Sequence, residues 1–194
     1  MKTALLFFLC YLIGTISGAY IVGMLFRHKD IRKEGSGNAG TTNAIRVMGK
    51  KLGYTTFAID VLKGVAVMLW VAPMLDESIR LFATLFVVLG HDYPFYLGFR
   101  GGKGIATTFG AWGTIAPLYV AIAAVGGILT GKISRYVSLG SLAFLSVVSI
   151  LMIFSWRGST WNVLAIVLVW ILGFLRHRSN IQRIREGTEN KVGG

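Results

Sequence analysis

Long apolar runs broken by short polar stretches dominate the chain. The first run covers residues 3–26, with Gly14 and Gly18 forming a small-xxx-small pair suited to close helix packing. A polar segment, residues 27–51, precedes a second run over 52–72. After a turn at 73–78 comes a third run over 79–97, then a Gly- and cation-rich loop over 98–104. Residues 105–130 are interrupted by Pro117 and several glycines, which predicts two short helices meeting near Pro117. Further runs cover 137–156 and 161–175, and the tail from Arg176 is polar and basic. About 20 apolar residues span bilayer hydrocarbon as a helix. The runs are continuous rather than alternating, which argues against a membrane β-barrel. The first run is too long for a signal-peptide core and lacks a cleavage site, so it is read as a retained span.

Composition agrees. Of the 194 residues, 54% are hydrophobic and only 14% charged, and the mean hydropathy is +0.65. The net charge is +12. At a membrane surface this follows the positive-inside rule, so nucleic acid is not expected as a partner. Placing the basic segments on one side puts 16 of the 20 Lys and Arg there; Lys2, Arg80 and Arg157 lie opposite, and Lys63 lies within a span. The expected architecture is an all-α integral membrane bundle of seven helices, five full crossings plus a pair of short helices. Its N-terminus is out and its C-terminus in, and residues 1–194 form one domain. The lone Cys10 cannot form an intramolecular disulfide, and nothing calls for a metal or cofactor.

Three polar constellations carry candidate chemistry. The first runs from Gly35 to Arg46. Its GxGxxG match does not follow a strand, so a dinucleotide fingerprint is rejected. Its glycines, Gly37 among them, let backbone N–H groups approach an anion. Ser36, Asn38, Thr41 and Asn43 add hydrogen-bonding groups, and Arg46 adds a planar fork suited to phosphate. A capped turn ahead of the second span is the plainer alternative. The second constellation holds His91, Asp92, Gly101, Gly102, Lys103 and Gly104. It is no P-loop, because Gly104 stands where Ser or Thr would bind magnesium. A Gly-Gly-Lys-Gly turn at a helix start still collects anions. His91 and Asp92 are adjacent, unlike the H-x4-D pair of some acyltransferases, so His91 is not assigned as general base. The third constellation joins Arg135, Ser138 and Ser141 to His177, Asn180 and Glu189. Asp60 and Lys63, three apart within a span, either pair with each other or meet substrate.

Together these motifs resemble the acyl-phosphate:glycerol-3-phosphate acyltransferases of bacteria, the PlsY family. The similarity rests on Gly-Ser-Gly-Asn-x-Gly-x-Thr-Asn-x-x-Arg at 35–46 and Gly-His…Pro…Phe-x-Gly-Gly-Lys-Gly-x-Ala-Thr at 90–107. Arg-Tyr-x-Ser-Leu at 135–139 and His-Arg-x-Asn-Ile at 177–181 complete it. Tyr93 and Arg100 are conservative departures. The resemblance implies transfer of a fatty acyl group from acyl-phosphate to the 1-hydroxyl of glycerol 3-phosphate. Such enzymes use neither acyl-CoA nor acyl carrier protein as direct donor. It implies a bacterial inner-membrane enzyme whose site faces the cytoplasm, with membrane lipids and a soluble acyl-phosphate-producing enzyme as further partners. It assigns Ser36, Arg46, Lys103, His177 and Asn180 to catalysis. Gly37, Asn38, Thr41, Asn43, His91, Gly101, Gly102, Gly104, Ser138 and Ser141 are assigned to substrate binding, and Glu189 to a structural role. Direct attack by the substrate hydroxyl is the favoured mechanism. Covalent catalysis by Ser36 competes with it and needs His91 or His177 as its base. A transporter would instead place its site between repeats at the bilayer midplane, and no internal repeat is found.

Overall fold

A computed structural model describes residues 1–191. Among these residues there are ten α-helices and no strand. The first apolar run forms α1 (Lys2–Thr15) and α2 (Gly18–Arg27), broken at Ile16 and Ser17. The Ser17 hydroxyl accepts from the Tyr20 N–H and caps α2. The break divides the Gly14 and Gly18 pair between two helices, and both glycines still permit close packing. A Cβ on Gly14 would strike the Val87 backbone, whereas one on Gly18 would strike the carbonyl of Thr56. The two glycines therefore serve different neighbours.

The first polar loop carries the short helix α3 (Thr41–Met48), and the second span begins at once as α4 (Lys50–Ala66). A π-helical turn, Val67–Val71, and a 3-10 turn, Ala72–Met74, extend it to the far side. The third run gives only α5 (Phe82–Asp92), shorter than the expected 79–97. Pro94 bars a helical Tyr93, and the chain turns away. α5 measures about 16 Å and lies inside the bundle, with His91 and Asp92 buried at its end.

α6 (Ile105–Ile115) and α7 (Pro117–Ser134) meet at Ala116, with Pro117 in the first turn of α7. The break falls where the proline predicts it, but α7 is not short. Its 18 residues are long and apolar enough to cross a membrane. α8 (Val137–Ser155), α9 (Thr160–Arg176) and the polar α10 (Arg178–Arg185) complete the chain. Four helical stretches, Lys2–Arg27, Lys50–Met74, Pro117–Ser134 and Val137–Ser155, meet the length and hydropathy of a span; α9 with α10, bent by 50°, makes a fifth. Side chains such as Trp70, Leu118, Ile133 and Phe154 point outward, as lipid-facing residues do.

Glycines bring the helices close enough to hold the site. Gly90 of α5 lies against the backbone of Tyr11 and Gly14 in α1, and the Tyr11 hydroxyl donates to the Tyr93 carbonyl at 2.8 Å. Gly64 of α4 and Gly110 of α6 each touch the other helix's backbone. Trp112, Leu145, Val148 and Ile166 fill the centre.

Candidate active site

Residues of α3, α4, α5, α6, α8 and α10 surround a cavity of about 520 Å³. It brings together Ser36, Asn38, Thr41, Asn43, Arg46, His91, Lys103, Ser138, Ser141, His177 and Asn180, which lie up to 144 positions apart in the sequence. Ile45, Phe57, Ile105, Ala106 and Val137 form its apolar wall.

The first loop is shaped from within. Gly35 and Gly37 have φ of +59° and +71°, which only glycine adopts without strain. The Asn43 side chain, 1% exposed, ties the loop shut. Its Oδ1 accepts from the Ser36 N–H at 2.8 Å, and its Nδ2 donates to the carbonyls of Ile31 and Glu34 at 3.1 Å each. The Asn43 amide is thus held by its own loop and shapes the cavity that it also lines. The Gly37 N–H likewise donates to Glu34 at 3.0 Å and does not face an anion. What the loop does present is the N-terminus of α3, which has no side-chain cap. The amides of its first turn, beside Ser36, Asn38 and Arg46, form the anion-attracting feature. Arg32 braces the loop from behind, pairing with Asp30 at 2.7 Å and donating to the Leu97 carbonyl at 2.5 Å.

The second turn also differs from expectation. The N–H groups of Gly101 and Gly102 donate to the carbonyls of Asp92 and His91 at 3.1 and 3.0 Å. They close the end of α5 and are not open to phosphate. A Cβ on Gly102 would overlap the His91 ring, so this glycine permits a close approach. Gly104 takes a left-handed φ of +73° and starts α6. None of these three glycines lines the cavity; their role is to hold Lys103. Arg176 latches the turn to α9, donating from Nε and Nη2 to the Gly102 carbonyl at 3.0 and 2.7 Å. Its guanidinium also lies 4.8 Å from the centre of the Tyr93 ring.

Lys103 donates to the Asn180 Oδ1. Burial pushes its ammonium down to about 8; the Glu189 carboxylate opposes that shift, and the Arg183 and Arg176 cations add to it. Asn180 Nδ2 and the Ser138 hydroxyl donate to Glu189 Oε1 at 2.6 and 2.8 Å, and Arg183 Nε donates to Oε2 at 2.7 Å. Burial raises the Glu189 pKa, but these three donors outweigh it and leave it below the usual carboxylate value. His177 Nδ1 lies 2.7 Å from the Gly173 carbonyl, so that nitrogen carries the proton and Nε2 is left as an acceptor.

Sequence reasoning missed Arg183 as a site residue, although it lies three after Asn180 and shares its helix face. It also left Asp60 and Lys63 open between pairing and substrate contact. Asp60 pairs with Lys63 at 3.0 Å and lines the cavity as well. Lys63 Nζ further donates to the carbonyls of Gly14 and Ile16 at 2.9 and 2.7 Å, and lies 2.7 Å from His91 Nδ1. The pair thereby secures the break between α1 and α2.

A helical bundle with long apolar helices and a cation-rich cavity beside an apolar wall has the make-up of an integral membrane protein with an anion-attracting site. The family model described as glycerol-3-phosphate acyltransferase matches residues 4–187. Glycerol-3-phosphate acyltransferases of Halalkalibacterium halodurans and Thermoanaerobacter pseudethanolicus are each 41% identical. They cover 94% and 100% of this chain and 92% and 97% of their own lengths. Crystal structures of PlsY (YgiH), an integral membrane glycerol 3-phosphate acyltransferase, superpose with TM-scores of 0.88 in a glycerol 3-phosphate form and 0.83 in a lysophosphatidic acid form. Identity is 32%, over 100% of this chain and 96% of that one. The chain belongs to the glycerol-3-phosphate acyltransferase family and is an integral membrane acyltransferase.

Proposed function

We propose that the acyl donor is an acyl-phosphate and that the acyl group passes to the 1-hydroxyl of glycerol 3-phosphate, giving 1-acyl-glycerol 3-phosphate and inorganic phosphate. The observation that carries this reading is the pairing of two cationic anchors with one apolar wall in the same cavity. The α3 N-terminus with Ser36, Asn38, Thr41 and Arg46 is one anchor, and Lys103 with Asn180, Ser138, Ser141 and His177 is the other. Two anchors suit two phosphorylated substrates, and the wall of Ile45, Phe57, Ile105, Ala106 and Val137 suits the acyl chain.

The hydroxyl oxygen attacks the acyl carbonyl carbon, and the bond from that carbon to the phosphate oxygen breaks. Phosphate departs and takes up the hydroxyl proton. Acyl phosphate is already activated, so positioning and charge neutralisation by Arg46 and Lys103 supply most of the rate. Covalent catalysis by Ser36 is disfavoured, because among the described residues neither His91 nor His177 hydrogen bonds to it.

The chain is read as one domain with five membrane-crossing stretches, in a bacterial inner membrane with its N-terminus out and its C-terminus in. The cytoplasmic face then receives water-soluble glycerol 3-phosphate, an acyl-phosphate-producing enzyme supplies the donor, and membrane lipids surround the bundle. Purified protein in vesicles, given acyl-phosphate and glycerol 3-phosphate, should form lysophosphatidate and phosphate in equal amounts, and Arg46→Ala or Lys103→Ala should abolish this. Turnover with acyl-CoA alone would refute the donor, and acyl-labelled protein after a single turnover would refute direct transfer.

A further inference from the structure

We propose that Asp60 recognises the glycerol moiety, its Oδ2 accepting a hydrogen bond from the hydroxyl that is not acylated, the 2-hydroxyl. This rests on the cavity being the glycerol 3-phosphate site. Asp60 is 1% exposed and lines the cavity, one turn after Phe57 on α4. Its two oxygens have different surroundings. Oδ1 accepts from Lys63 at 3.0 Å and from the Gly18 N–H at 3.4 Å, and lies 3.4 Å from His91 Nδ1. Oδ2 meets no hydrogen-bond partner among the described residues. A buried carboxylate oxygen without a donor is costly, so a donor from a bound molecule is the expected complement.

Charge decides which part of the molecule that is. Arg46, Lys103 and Arg183 line the cavity and attract phosphate, whereas a carboxylate repels it. Glycerol 3-phosphate offers its phosphate to the cations and its hydroxyls to Asp60. An acyl donor brings a second phosphate to the same cations, so the attacked carbon and C1 oxygen lie between the two phosphates. The hydroxyl on C2 is then the one left for Asp60. Asp60 differs in this from Asp92, whose two oxygens also lack hydrogen-bond partners but which lies outside the cavity, 3.9 Å from Arg176.

The test compares glycerol 3-phosphate with 3-hydroxypropyl phosphate, which has the same phosphate and reacting hydroxyl but no 2-hydroxyl. Both are measured as acyl acceptors and as calorimetric ligands of the full chain in detergent. The wild type should favour glycerol 3-phosphate by about 10- to 100-fold in kcat/KM and in Kd, the range for a hydrogen bond to a charged group. Asp60→Ala should reduce that preference to within about 3-fold. Lys63 then still has the Gly14 and Ile16 carbonyls and His91 Nδ1 for its three protons, which favours folding. Should that variant not fold, Asp60→Leu with Lys63→Met removes both charges together and should show the same loss of preference. Arg46→Ala should weaken both ligands equally. A wild type that treats the two ligands alike overturns the proposal and leaves the site standing. Undiminished preference in a folded Asp60 variant does the same. A wild type that binds neither ligand overturns the site and the proposal together.

Discussion

Glu189 is one side chain near the end of the described chain, yet it joins three side chains of α8 and α10 at the cavity. Replacing it with Ala removes the acceptor for the Asn180 amide, the Ser138 hydroxyl and the Arg183 guanidinium. The first two bonds are buried and charge-assisted, each contributing about 1.5–3 kcal/mol. Arg183 is 34% exposed, so its share is about 0–1 kcal/mol. Together roughly 3–7 kcal/mol of local interaction is lost, enough to free the last turn from α8 and α10. The global fold should survive, because the hydrophobic core lies elsewhere. Activity should not survive intact. Without Glu189 nothing fixes the Asn180 amide, and Lys103 loses the oriented Oδ1 that holds it. Misplacing one anchor by an ångström costs about 100-fold. Glu189→Gln keeps one acceptor but turns an amide donor toward another donor, so an intermediate loss is expected. Initial rates with radiolabelled glycerol 3-phosphate in vesicles, alongside thermal denaturation, measure this. A folded Glu189→Ala protein with kcat/KM within about 3-fold of wild type would refute the reasoning.

Lys103 titrates near 8, and its cation is present below that value, so kcat/KM should fall as pH rises through about 8. The kcat limb should lie higher, because bound phosphate stabilises the ammonium, and Lys103→Arg should remove the limb; a flat profile to pH 10 contradicts this. Asn43→Ala leaves the Ser36 N–H and the Ile31 and Glu34 carbonyls without that partner, which should destabilise by about 2–4 kcal/mol and raise the KM for glycerol 3-phosphate, as read by Tm and steady-state kinetics. Gly90→Ala should drive α1 from α5 and lower Tm, at a cost of about 1–3 kcal/mol or more. Gly158→Ala, where a Cβ meets nothing within 4 Å, should leave Tm unchanged.

Much of the fold was legible in the sequence, because a bilayer demands long apolar helices and leaves their lengths in plain view. The break at Pro117 was legible too, since proline cannot continue a helix. The break at Ile16 and Ser17 was not, because the Gly14 and Ile16 carbonyls and the Gly18 N–H that it frees are met by Lys63 and Asp60, more than forty positions away. The short α5 was hidden for a similar reason: apolar residues continue to Leu97, and only Pro94 and the packing of Gly101 and Gly102 turn the chain away.

The site divides along the same line. Residue types alone indicated an anion site, because Gly, Ser, Asn, Arg and Lys at these spacings have few other uses beside a membrane helix. Which of those groups face the cavity was a tertiary decision. Asn43 and the glycine amides at 37, 101 and 102 already have partners in their own loops, so they shape the site, while the α3 N-terminus, Arg46 and Lys103 present to it. A sequence specifies which donors and acceptors exist. Only the folded chain determines which of them are satisfied internally and which remain for a substrate.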